Sequence, residues 1–103
     1  MAQTPEAKVK AKITQVLREE GVYYFFPATG GFGRSGVPDI VCCVNGRFLG
    51  IECKAGKNKP TLLQVREIEA IRTAGGVAIV ANEDNWDVIR EFVRGLALRE
   101  QTK

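Results

Sequence analysis

The chain is predicted to fold as one α/β domain, a mixed β-sheet covered by helices in the order α-β-β-β-α-β-α. Three observations carry that expectation. Apolar residues recur at helical spacing in three separate segments. Two apolar runs flank Asn45-Gly46, the strongest short hairpin signal. A strand, a helix and the apolar run VAIVA follow one another, a crossover that places its two strands parallel. A length of 103 residues suits one core, so residues 1–103 form a single domain.

Thr4-Pro5-Glu6 opens the first helix, with Thr as N-cap, Pro in the first turn and an acid near the positive end of the dipole. Val9, Ile13, Val16 and Leu17 supply its apolar stripe, and Gly21 stops it. VYYFF, β-branched and aromatic, is a strand. ATGGFGRSG is a glycine-rich loop, whose Phe32 either wedges into a strand junction or packs down. The hairpin around Asn45-Gly46 comes next, then the basic loop GKNKP. A second helix runs from about Thr61 to Ala74, with Leu62, Val65, Ile68 and Ile71 inward, and Gly75-Gly76 ends it. VAIVA suits a strand buried on both faces. Asp84 caps a third helix carrying Trp86, Ile89, Phe92, Val93 and Leu96, and the tail LREQTK frays.

Composition removes several kinds of chemistry. There is no histidine, so neither a Ser-His-Asp triad, an imidazole base nor a His-liganded zinc site is available. The three cysteines include no CxxC pair, and Cys42 and Cys43 are neighbours that point to opposite faces of a strand. They read as small core residues. An odd count without a disulfide pattern fits a reducing cytoplasm. The N-terminal MAQTPEAKVKAK lacks an apolar signal core, and no run is long enough to span a membrane. The formal charge is only +3, but residues 34–66 hold six basic residues, among them Arg34, Lys57 and Lys59, against two acids. That distribution suits a phosphate-bearing partner, or else a solvated charged surface.

The two acids are Asp39 and Glu52. With Asn45-Gly46 as a two-residue turn, Val44 pairs with Arg47, and the same register sets Asp39 opposite Glu52, their Cβ atoms about 5 Å apart. Lys54 shares the face of Glu52, about 7 Å further along. Opposed carboxylates repel, so they persist where a cation neutralises them or one stays protonated. Hard oxygen donors without His favour Mg²⁺ or Mn²⁺. The alternative is a solvent-exposed hairpin end with one Lys–Glu contact. Glu6 precedes Ile13 by seven residues and so lies within roughly 20° of it, on the sheet-facing stripe. It serves the helix dipole, the acidic site, or both.

Gly36-Val37-Pro38-Asp39, then Glu52-Cys53-Lys54, after a helix that begins with Glu6, resembles the PD-(D/E)xK nuclease superfamily, and within it the VRR-NUC (virus-type replication-repair nuclease) family. The resemblance spans roughly residues 4–95. It implies a restriction-endonuclease-like fold, a phage or prophage setting and hydrolysis of DNA phosphodiesters with Mg²⁺ or Mn²⁺. In that frame Asp39, Glu52, the Cys53 backbone carbonyl and Glu6 hold the metal, and Lys54 positions or deprotonates the attacking water. Gln64 matches a polar residue many relatives carry on the second helix, though it equally suits a helix surface. Arg34, Lys57 and Lys59 are the expected phosphate contacts.

The expected activity is a structure-specific endonuclease acting on branched DNA, by family analogy a four-way (Holliday) junction resolvase working as a homodimer. VYYFF offers one surface for that dimer if its strand lies at an edge. The alternatives are a less selective nicking or flap endonuclease of the same fold, or a DNA-binding module without catalysis.

Overall fold

The structure, a computed structural model, describes residues 3–28 and 33–101. Thr29, Gly30, Gly31 and Phe32 lie outside them. Seven elements appear in the expected order: α1 (Pro5–Glu19), β1 (Tyr23–Phe25), β2 (Ile40–Val44), β3 (Arg47–Cys53), α2 (Leu62–Thr73), β4 (Val77–Ala81) and α3 (Trp86–Gln101). They build one four-stranded sheet in the order β1-β2-β3-β4.

The hairpin sits in the expected register. Val44 faces Arg47 and Ile40 faces Ile51. Asn45 and Gly46 both adopt positive φ, 52° and 88°, the backbone of a two-residue turn whose twist matches its strands. β1 pairs antiparallel with β2, and β3 pairs parallel with β4 across the helical crossover.

One face of the sheet carries the core. Ile40, Cys42, Val44, Leu49, Ile51 and Cys53 are buried there against Val9, Ile13 and Leu17 of α1 and Ile89, Val93 and Leu96 of α3. Each such aliphatic side chain contributes about 1.5–3 kcal/mol on burial. Thr4 caps α1, accepting from the Ala7 amide at 3.1 Å, and Gly21, at φ 72°, takes the chain out of it.

The other face is more thinly covered, and several expectations change there. In α2 only Ile68 is buried, while Leu62 and Val65 are exposed. Three-residue steps fall about 60° short of a full turn, so a row stepped back from Ile68 drifts off the contact face, and Leu62 ends roughly 120° away. Cys43 is exposed, not core, because strand alternation turns it to this side. β4 is an edge strand, so Val77, Ile79 and Val80 are half-buried rather than enclosed. Asn85, not Asp84, immediately precedes α3. Its carbonyl accepts the first helical bond from Ile89, while the Asp84 amide donates to Asn82 Oδ1. Phe92 of α3 remains partly exposed. The helix also continues to Gln101, through the segment expected to fray. Among the described residues no helix is long and apolar enough to cross a membrane.

Candidate active site

The acids gather at the end of the hairpin opposite its turn, and local packing fixes them there. Gly36, at φ 78°, lies against the first turn of α2; a Cβ on it would stand 2.6 Å from the Leu63 carbonyl carbon and oxygen. Pro38 is buried above Gly50 of β3, where a Cβ would come within 2.8 Å of the proline ring. A strand glycine marks such a close approach, and that was the available sequence signal for Gly50. These two contacts deliver Asp39 to the start of β2. Its Oδ2 accepts a hydrogen bond from the Cys53 amide at 2.8 Å, which clamps the aspartate to β3.

The ladder ends at the Ile40–Ile51 pair, and just beyond it Asp39 lies close enough to Glu52 for its charge to act on it. Glu52 is 2% exposed. Burial, with the charge of Asp39 adding to it, pushes its pKa up to about 7 against the opposing pull of Lys54. Its Oε1 is buried with no hydrogen-bond partner. Lys54 is also buried, and its amide donates to the Ala81 carbonyl at 2.9 Å. The Lys54 ammonium lies 3.4 Å from Glu52 Oε2 and 3.8 Å from Glu6 Oε1. Glu6 therefore both occupies the first turn of α1 and reaches the acidic site. Glu6, Asp39, Cys53 and Lys10 line one cavity of about 200 Å³.

Among the described residues, no three Asp, Glu or Cys side chains stand together as a ready cation cage. Asp39 is engaged by the Cys53 amide, and the Lys54 ammonium bridges the two glutamates. The donor set nevertheless fits a hard divalent ion. It offers carboxylate oxygens, one of them buried and unpartnered on Glu52, whose ionisation the charge of Asp39 makes more costly.

The other expected residues divide. Gln64 closes a capping box, its Oε1 accepting from the Thr61 amide at 2.8 Å and its own amide donating to Thr61 Oγ1. Its side-chain oxygen thus serves the start of α2. Arg34 is not a free phosphate contact, because its guanidinium forms a two-pronged pair with Glu67, at 3.0 and 2.7 Å. That pairing raises the Arg34 pKa and lowers that of Glu67. The loop between Ala55 and Pro60 leaves Lys57 and Lys59 exposed, with no acidic partner among the described residues. Lys10 was missed by sequence reasoning; it stands four residues after Glu6, hence on the same helix face.

The family model described as archaeal Holliday junction resolvase (Hjc) matches residues 6–99. The chain belongs to this family. Its match to "Putative nuclease p44" of Acyrthosiphon pisum secondary endosymbiont phage 1 is 35% identical over 81 residues, covering 78% of this chain and 84% of that protein. Among solved structures, a VRR_NUC domain superposes with a TM-score of 0.71 at 26% identity, over 86% of this chain and 97% of its own. A second VRR_NUC domain protein, at 20% identity, shares the fold with a TM-score of 0.67, over 91% and 92%. The VRR-NUC resemblance is thus carried by the structural neighbours and the Hjc assignment by the family model. Both fit a nuclease family of the PD-(D/E)xK superfamily, and the restriction-endonuclease-like expectation for the fold holds.

Proposed function

We propose that the chain is a divalent-metal-dependent endodeoxyribonuclease that resolves four-way DNA junctions. The observation that supports this reading best is the meeting of Glu6, Asp39, Glu52 and Lys54 at one sheet end in an Hjc-family chain. Asp39, Glu52, the Cys53 carbonyl and Glu6 would hold Mg²⁺ or Mn²⁺. When bound, such an ion lowers the pKa of water and offsets charge on the phosphate.

The protein's own groups do the rest. The clamp from the Cys53 amide keeps Asp39 oriented toward β3. Burial around Glu52 keeps bulk water from screening the site. A bound cation would compete with the Lys54 ammonium for these carboxylates. Lys54 Nζ, beside both glutamates, would orient the attacking water through its N–H groups, or accept the water's proton as the free amine. Gln64 acts at one remove, fixing the first turn of α2 on which the Gly36 backbone rests. Lys57 and Lys59 receive phosphates on the exposed loop. A homodimer would pair two such sites on the two scissile strands. β1, at the sheet edge with Tyr23 and Phe25 exposed, is the surface we assign to that contact. Light scattering that finds only monomer would remove it.

The test is cleavage of a mobile four-way junction beside flap, nicked and plain duplex DNA, with Mg²⁺ or Mn²⁺ present. The proposal expects paired nicks in the junction well ahead of the other substrates. Equal cutting of all four supports the less selective nuclease. No cutting of any, with DNA still bound, supports the binding module.

A further inference from the structure

Two hollows meet at Lys10. One is the acidic cavity of about 200 Å³ that contains Asp39 and Cys53. The other, of about 360 Å³, continues along α1 past Ala11 and Thr14 to Arg18, with Phe26 also lining it. Ala7 and Lys10 line both. Residues 7, 10, 11, 14 and 18 share one helix face, so the two hollows adjoin along α1 at Ala7 and Lys10. Two of these residues are alanines, which leave room. Thr14 folds its hydroxyl back onto the Lys10 carbonyl at 2.7 Å.

The charges in this groove are of one sign away from the acids. Neither Lys10 nor Arg18 has a carboxylate within ion-pair distance among the described residues. Lys10 Nζ stands 4.3 Å over the ring of Phe26, a residue that is 48% exposed. Eight residues of helix separate Lys10 from Arg18 by about 12 Å, the length of three to four nucleotides in a stacked strand. A single row of cations beside an exposed ring matches a single strand, whose phosphates follow the charges and whose bases stack.

Resting on the nuclease reading, we infer that this groove holds the nucleic-acid strand leading away from the cleaved phosphate, with Lys10 and Arg18 on its phosphates and Phe26 under a base. Sharing Ala7 and Lys10 with the cavity of Asp39 makes it an extension of the proposed active site rather than a separate patch.

The experiment measures binding of a fluorescent single strand and of a splayed-arm duplex by anisotropy across salt concentrations. Asp39→Asn is the common parent, so that binding is read without cleavage. Lys10→Gln and Arg18→Gln should each weaken binding about three- to tenfold and lower the salt slope by about 0.7. Lys10→Arg should restore both. Phe26→Ala should weaken binding roughly tenfold and leave the slope unchanged. Lys8→Gln, on the same helix but outside the groove, should change neither. The inference is overturned if the groove variants bind like the parent, or if Lys8→Gln lowers the slope as much as Lys10→Gln. Failure of the wild type to cut any substrate while binding still follows the groove would sink the nuclease reading and leave the groove standing. A parent that binds no DNA removes both.

Discussion

The two ends of the hairpin handle charge in opposite ways. Near the turn, Arg90 meets Glu19 at 2.6 Å and Glu20 at 2.8 Å, and Arg94 meets Glu20 at 2.9 Å. Every acid there has a guanidinium, and the pairing lowers the pKa of both glutamates. At the far end, Glu52 is buried with one oxygen unpartnered, a second acid close to it, and one lysine shared between two glutamates. The first arrangement ties α1 to α3. The second is held in place by its surroundings against its own electrostatics, as the proposed active site requires. Paired charge and the candidate site occupy opposite ends of one strand pair.

Substitutions test that contrast, and the largest effects belong to the acidic end. Asp39→Ala and Lys54→Ala should each cut junction cleavage by roughly 10²–10⁴-fold while far-ultraviolet circular dichroism stays native. Normal turnover by either variant would remove the site. A chelator should abolish activity as completely, and added Mn²⁺ should restore it.

Gly36→Ala should come next. A methyl group there meets the α2 backbone at 2.6 Å with φ positive, costing about 2–4 kcal/mol and displacing Asp39. Chemical denaturation gives the first number and cleavage the second. A variant as stable and active as wild type would mean that the Gly36 contact does not position the site.

Glu52→Gln should separate the two functions of that end. The folded-state pKa of Glu52, raised to about 7, exceeds its ordinary value of 4.5. Its protonation therefore favours the fold at low pH, and that stability is lost as pH rises through 7. The metal-free wild type should lose on the order of a few kcal/mol between about pH 4.5 and pH 7, and Glu52→Gln should flatten this dependence while abolishing cleavage. Parallel stability curves for the two proteins would show that Glu52 does not carry the strain.

The smallest effect is expected at the paired end. Arg90→Ala should lower the thermal midpoint by roughly 1–4 °C, less so at high salt, with cleavage unchanged. A loss of activity there would mean that the two ends are coupled.

The site was legible where one local rule determined distant geometry. Asn45-Gly46 favours a two-residue turn, and counting outward from it gives the register that runs from Val44–Arg47 to Ile40–Ile51 and brings Asp39 and Glu52 to the same end. Helical spacing likewise brought Glu6 to the sheet side of α1. What stayed hidden depended on pairings between segments far apart in the chain. Arg34 looks free in sequence because Glu67, 33 residues away, enters only when α2 docks. Gln64 reads in sequence as a polar residue many relatives carry or as helix surface, and its capping box with Thr61 is seen only in the structure. The inward row of α2 was misplaced because three-residue and four-residue spacings diverge within two turns.

The bond from the Lys54 amide to the Ala81 carbonyl has a consequence for how the domain comes apart. Residues 51–55 are all buried, and β4 closes that side of β3. The amides around Lys54 should therefore exchange with deuterium only through global unfolding, among the slowest in the chain. Every acid of the site precedes residue 60, yet a fragment ending before Val77 would leave β3 as a bare edge and the acids without a frame. Proteolysis within 77–81 should silence the enzyme as surely as removal of Asp39.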